Sequence, residues 1–110
     1  MIDPARLQEL AEDFGPDDLA ELIEAFLEEA SEAVDTLEAT VSDAYSEDRA
    51  AQFHFLKGCA LNVGASQFGE RLQILEHRDG GFSQTEYQSL RAEFHAIQEH
   101  LLNGGLKNIA

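Results

Sequence analysis

In the run His54-Phe-Leu-Lys57-Gly58-Cys59-Ala-Leu61-Asn-Val63-Gly64-Ala65, a nucleophile, a cation and a glycine fall at positions 54, 57 and 58. On a helix, at ~100° per residue, Leu56, Ala60 and Val63 gather on one side and His54 points away from them. A histidine turned from the apolar side is a chemical handle: neutral imidazole is nucleophilic near pH 7 and forms covalent adducts that it can pass on. One turn away on either side stand Ala50 and Gly58, so nothing bulky screens the ring, and Lys57 at i+3 lays a cation beside it. Glycine inside a helix costs ~1 kcal/mol relative to alanine. Because Gly58 faces outward, helix packing does not account for that cost; room for an approaching surface does.

The elements that must position these residues are legible as helices. Asp3 as N-cap and Pro4 at the first helical position open a short helix that ends near Gly15, with Leu7, Leu10 and Phe14 as its apolar stripe. Pro16 starts a long second helix in which Leu19, Leu22, Ile23, Phe26, Leu27, Ala30, Val34, Leu37 and Val41 recur at three and four residues, the period of a bundle seam, to about Asp43. Ser46 is the expected N-cap of the third helix, which carries His54 and ends around Gly64. A fourth helix runs from Ser66 with Phe68, Leu72 and Leu75 inward and breaks at Asp79-Gly80-Gly81. Ser83-Gln-Thr-Glu86 reads as a capping box for a fifth, whose Tyr87, Leu90, Phe94, Ile97 and Leu101 face the core until Asn103-Gly104-Gly105. Short connections between long amphipathic helices favour antiparallel neighbours. The expected fold is therefore all-α: helices two to five as an up-down-up-down antiparallel four-helix bundle, with the short N-terminal helix across one end.

At 110 residues the chain is expected to form one domain, 1–110. Seven basic against 22 acidic residues give a net charge of −15, which argues against nucleic acid or an anionic membrane as partner. The charge is uneven. Residues 1–48 hold 16 acidic residues and one basic residue, whereas residues 49–110 hold six of each, so the half bearing His54 is neutral, with Arg49, Lys57, Arg71 and Arg78 on hand. The acidic half is a solvated face, or a means of repelling a partner whose own pocket is acidic. The single cysteine, Cys59, lies on the core-facing flank of the His54 helix and reads as a reduced thiol acting as a small hydrophobe. Neither a signal peptide nor a run of ~20 apolar residues is present, so a soluble, cytoplasmic protein is expected. His95 and His100 are five apart and His77 has no partner at helical spacing, so no metal site is expected. No G-x-x-x-x-G-K-S/T loop offers a means of using ATP.

The pattern His54-x-x-Lys57-Gly58 followed by Gly64-Ala65 resembles the signature of histidine-containing phosphotransfer (HPt) domains, four-helix modules that shuttle a phosphoryl group between receiver aspartates in multistep phosphorelays. With the acidic two-helix lead-in, the turn after Gly64 and two further amphipathic helices, the likeness covers essentially the whole chain. It implies that His54 is phosphorylated, that Lys57 offsets charge on the phosphoryl oxygens, and that Gly58 with Ala50, Ala51 and Leu61 receives a docking receiver. It further implies that Glu76, 22 positions after His54, hydrogen-bonds the ring nitrogen that is not phosphorylated; Gln73, one turn earlier, is the substitute if the helix register differs. The implied partners are receiver domains of response regulators and of a hybrid histidine kinase. These would supply the catalytic aspartates and Mg²⁺, leaving this chain a stand-alone, monomeric intermediate with no cofactor and no kinase activity. The competing expectation is a silent module that keeps the bundle and binds a receiver or kinase without accepting phosphate. A free-standing enzyme is disfavoured because no second catalytic group is implied.

Overall fold

Prolines, glycines and capping side chains set the helix boundaries. The computed structural model describes residues 2–41, 47–78 and 81–105. Among them are five α-helices and no strand: α1 (Pro4–Phe14), α2 (Pro16–Glu38), α3 (Glu47–Asn62), α4 (Ser66–Glu76) and α5 (Gln84–His100). The Asp3 carboxylate accepts from the Ala5 backbone N–H at 3.0 Å, and Pro4, with no N–H to leave unpaired, takes the first turn of α1. Gly15, at φ +81°, closes α1 by donating to the Ala11 carbonyl, and its own carbonyl accepts from Leu19 N–H at 2.9 Å. A single left-handed residue thus turns α1 directly into α2, a corner that glycine adopts without steric cost. At α5, Ser83 Oγ accepts from Glu86 N–H and Glu86 Oε1 accepts from Ser83 N–H, both at 3.1 Å. This reciprocal cap contributes about 1 kcal/mol.

Packing then fixes which side of α3 meets solvent. α2 packs against α1, α3 and α5, and α4 packs against α3. Phe53, Leu56 and Ala60 bury the inner side of α3. Phe53 meets Phe82 edge-on at 5.3 Å, and Phe82 meets Tyr87 edge-on at 6.4 Å, which ties α3 to the start of α5 with about 1 kcal/mol per aromatic pair beyond area burial. Phe68 and Phe94, 6.5 Å apart, join α4 to α5. The turn between α3 and α4 is clasped by the start of α1: Asp3 N–H donates to the Gly64 carbonyl at 2.9 Å and Arg6 Nε to the Asn62 carbonyl at 3.0 Å. Gly64 sits at φ +81°, and a Cβ there would lie 2.9 Å from Arg6 Cβ and 3.0 Å from Asp3 O, so both its backbone and its surroundings require glycine.

Several sequence expectations need correction. α2 stops at Glu38, not near Asp43, because the chain passes into a turn in which the Thr40 hydroxyl donates to the Leu37 carbonyl at 2.8 Å. Asp43, the expected cap Ser46, and Asp79-Gly80 of the expected break lie outside the described residues, and α4 ends earlier, at Glu76. α5 does not run as an α-helix to Asn103; it passes into a π-helical turn, Leu101–Gly105, that buries Leu101. Phe14 is 50% exposed, and Ala11 takes its place in the core, because Phe14 falls at the corner where the chain swings into α2. Arg49 is buried, its Nη1 donating to the Thr40 carbonyl at 3.0 Å and its guanidinium 6.0 Å from the Phe82 ring centre. Arg71 pairs with Glu93 at 2.8 Å, and Arg78 pairs with Glu86. These three cations are committed to holding the fold.

Candidate functional site

With the inner side of α3 buried, His54 stands on the opposite side with its side chain 70% exposed. The backbone around it is bare: Gly58 is exposed, and a Cβ built on it would meet no atom within 4 Å. Ala50 is half-buried and Ala51 exposed, while Leu61 and Phe55 are exposed apolar side chains of the same helix. This side of α3 is therefore open, an imidazole with small neighbours before and after it and exposed apolar side chains on the same helix.

The imidazole is held from the neighbouring helix. Glu76, the last residue of α4, brings Oε2 to 3.1 Å from His54 Nδ1 and Oε1 to 3.2 Å from Lys57 Nζ. Burial works most strongly on this carboxylate and favours the neutral acid, but Lys57 and His54 together outweigh it and hold Glu76 below the usual carboxylate range. An ionised carboxylate only accepts hydrogen bonds, so Nδ1 carries the imidazole proton. In a neutral ring with the proton on Nδ1, the lone pair lies on Nε2. Gln73 sits elsewhere, exposed on α4 beside Glu70, Ile74 and His77. Lys57 rests its ammonium against Glu76, with its side chain 19% exposed.

Residues outside this constellation serve other ends. Cys59 is half-buried on the wall of a small apolar cavity with Phe26, Leu56, Phe68 and Phe94. Burial first, and the charge of Glu29 second, push its thiol up, so it is a poor nucleophile at neutral pH. Among the described residues no group of three or more His, Cys, Asp or Glu could hold a metal ion, and no helix is long and apolar enough to cross a membrane. The residues that sequence reasoning missed are Arg49 and Phe82, which brace the inner side of α3, and the pairing of Lys57 with Glu76. The last left one signal: His54 and Lys57 are neighbours at i, i+3, so a carboxylate reaching one from another helix can reach both.

No curated protein and no solved structure gives a significant match to this chain. The family model of the Hpt domain does, over residues 21–100. That span takes in most of α2, all of α3, α4 and α5, and with them His54, Lys57, Gly58 and Glu76; α1 lies before it. An all-helical fold with a histidine displayed on a helix surface agrees with that match, and the chain belongs to the Hpt domain family, the helical modules of histidine phosphotransfer in phosphorelays.

Proposed function

We propose that this domain carries a phosphoryl group between receiver domains on Nε2 of His54. The observation that carries this reading is the Nδ1 contact to Glu76 at 3.1 Å on a ring that is otherwise open. In the forward step the Nε2 lone pair attacks the phosphorus of an aspartyl phosphate on the receiver. The N–P bond forms as the P–O bond to the aspartate breaks, and the carboxylate leaves with its electron pair. The reverse step, onto the aspartate of a second receiver, regenerates the neutral imidazole. Nδ1 keeps its proton throughout, so Glu76 need only accept it.

In-line phosphoryl transfer asks mainly for positioning and charge stabilisation. Helix α3 supplies a fixed nucleophile, the bare surface around Gly58 supplies access, and the receiver supplies its aspartate and Mg²⁺. On this reading α2 to α5 form the antiparallel up-down-up-down bundle, α1 lies across one end, and the module works as a monomeric cytoplasmic carrier without kinase activity. Receivers of a hybrid kinase and of a response regulator are its partners. The test is His54→Gln. An exposed side chain contributes little to the core, so the variant should melt like the parent and take up no label from a phosphorylated receiver, whereas the parent takes up label that is lost in acid. Labelling retained in His54→Gln would move the site to His77, His95 or His100.

A further inference from the structure

The bare strip around His54 has two unlike flanks. Toward α4 it is bounded by Leu61, which lies over that helix at Gly69, where a Cβ would come 3.3 Å from Leu61 Cδ2. Toward α2 it falls into a groove with Ala33 at its base, Phe55, 39% exposed, on the α3 wall, and Glu29 and Glu32 on the α2 wall. Both glutamates are exposed, and among the described residues neither carboxylate has a cation or a hydrogen-bond donor beside it. The Thr36 hydroxyl on the same wall donates to the Glu32 backbone carbonyl at 2.9 Å and leaves the carboxylate free. Two unpaired charges thus stand across a groove from an exposed ring that is one residue from the nucleophile. Such a groove is complementary to a surface with an apolar side chain next to a Lys or Arg.

We propose that this α2 flank decides which receivers the domain accepts. Phe55 makes the apolar contact, and Glu29 and Glu32 pair with a Lys or Arg that the receiver carries next to the pocket of its aspartate. A receiver with a carboxylate at that place is repelled, so the same two residues select for one class of partner and against another. The asymmetry also sets the docking orientation: the acidic aspartate pocket is pushed away from α2 toward the Leu61 flank, and the basic edge beside it is drawn onto α2. Exposed pairs of this kind are individually weak and act on encounter rate and choice of partner more than on affinity. The identity of the partner rests on the phosphotransfer reading, whereas the selection rests on the groove.

The experiment compares Glu29→Gln/Glu32→Gln with Glu24→Gln/Glu28→Gln on the full chain. The second pair removes the same charge from the same helix but lines the groove on the α5 side. All four side chains are exposed, so both variants should melt like the parent. Binding of a panel of purified, unphosphorylated receiver domains is measured by calorimetry at about 0.15 M and about 1 M NaCl, where charges are felt over about 8 Å and about 3 Å. For receivers with a Lys or Arg beside the aspartate pocket, the first pair should weaken binding about fivefold at the lower salt and hardly at all at the higher, and the second pair by less than about twofold. Receivers with a carboxylate there should bind the first pair better than the parent. Phe55→Ala should weaken binding at both salts, and parent-like binding in that variant would remove the groove as the contact. Equal losses from the two pairs overturn the proposal, since they report only the net charge of α2, and so does unchanged binding in the first pair. Receivers that bind as expected but pass no phosphoryl group to the parent would sink the phosphotransfer reading while the charge comparison still decides the selection; binding by none of them overturns both.

Discussion

Gly58→Leu separates docking from folding more cleanly than any other substitution at this site. A Cβ on Gly58 meets nothing within 4 Å and φ there is helical, so the new side chain enters solvent. Leucine is a better helix former than glycine by about 0.8 kcal/mol. For a chain of this size that raises Tm by roughly 4 °C. The same side chain stands one turn from His54, about 6 Å away between Cβ atoms, and projects into the space a receiver must occupy. In-line attack needs the reacting atoms about 3–3.5 Å apart, and a misplacement of about 1 Å costs on the order of 100-fold. Transfer from a phosphorylated receiver should therefore fall by at least that factor. Gly58→Ala is the control, with nearly the same gain in stability and little loss of transfer. Melting by circular dichroism and transfer kinetics on one preparation decide the matter. A Tm several degrees below the parent would show that the position is packed, and a stable variant with parental transfer would show that receivers do not approach across Gly58.

Three further outcomes follow from the geometry. Glu76→Ala should slow transfer without abolishing it, and Gln73→Ala should leave the rate unchanged; the reverse pattern in the same kinetic assay would reassign the imidazole's partner. Gly64→Ala forces a left-handed backbone onto a residue with a Cβ and drives that Cβ against Arg6 and Asp3, a combined cost of about 2–3 kcal/mol visible as a Tm lower by roughly 10 °C. The Arg78 guanidinium foremost, against the effect of burial, holds Glu86 down to about 2, and the Ser83 cap adds to it. A carboxylate depressed in this way contributes stability that is complete above its ordinary 4.5 and is lost as pH falls toward 2. Solvent screens a pair about one-third exposed, leaving ~1 kcal/mol. Urea unfolding of Arg78→Ala should thus show a deficit of that size at pH 7 that closes in acid, and a deficit independent of pH would count against the pairing.

Local chemistry made much of this molecule readable from the chain. Pro4, Pro16, Gly15 and the Ser83–Glu86 box act within a turn of themselves, so the helix starts they specify hold in three dimensions. The outward direction of His54 follows from the 3.6-residue period and from Leu56, Ala60 and Val63, all of which are buried. Where helices end was less legible, because the stop after Glu38 depends on a Thr40 hydroxyl and on Arg49 reaching back to the Thr40 carbonyl. Nothing in the sequence marks an arginine as buried, or Phe82 as the ring between α3 and α5, since both are decided by what other elements bring against them. The same holds at the site. The periodicity of α3 places His54 and Lys57 side by side, but only the packing of α4 on α3 decides that the carboxylate of Glu76, and not the amide of Gln73, arrives beside them. It also decides that Oε1 is buried deeply enough to claim the ammonium of Lys57. Periodicity fixes the direction in which a side chain leaves its own helix, whereas its partner depends on the register and depth of a second helix, which are properties of the packed core.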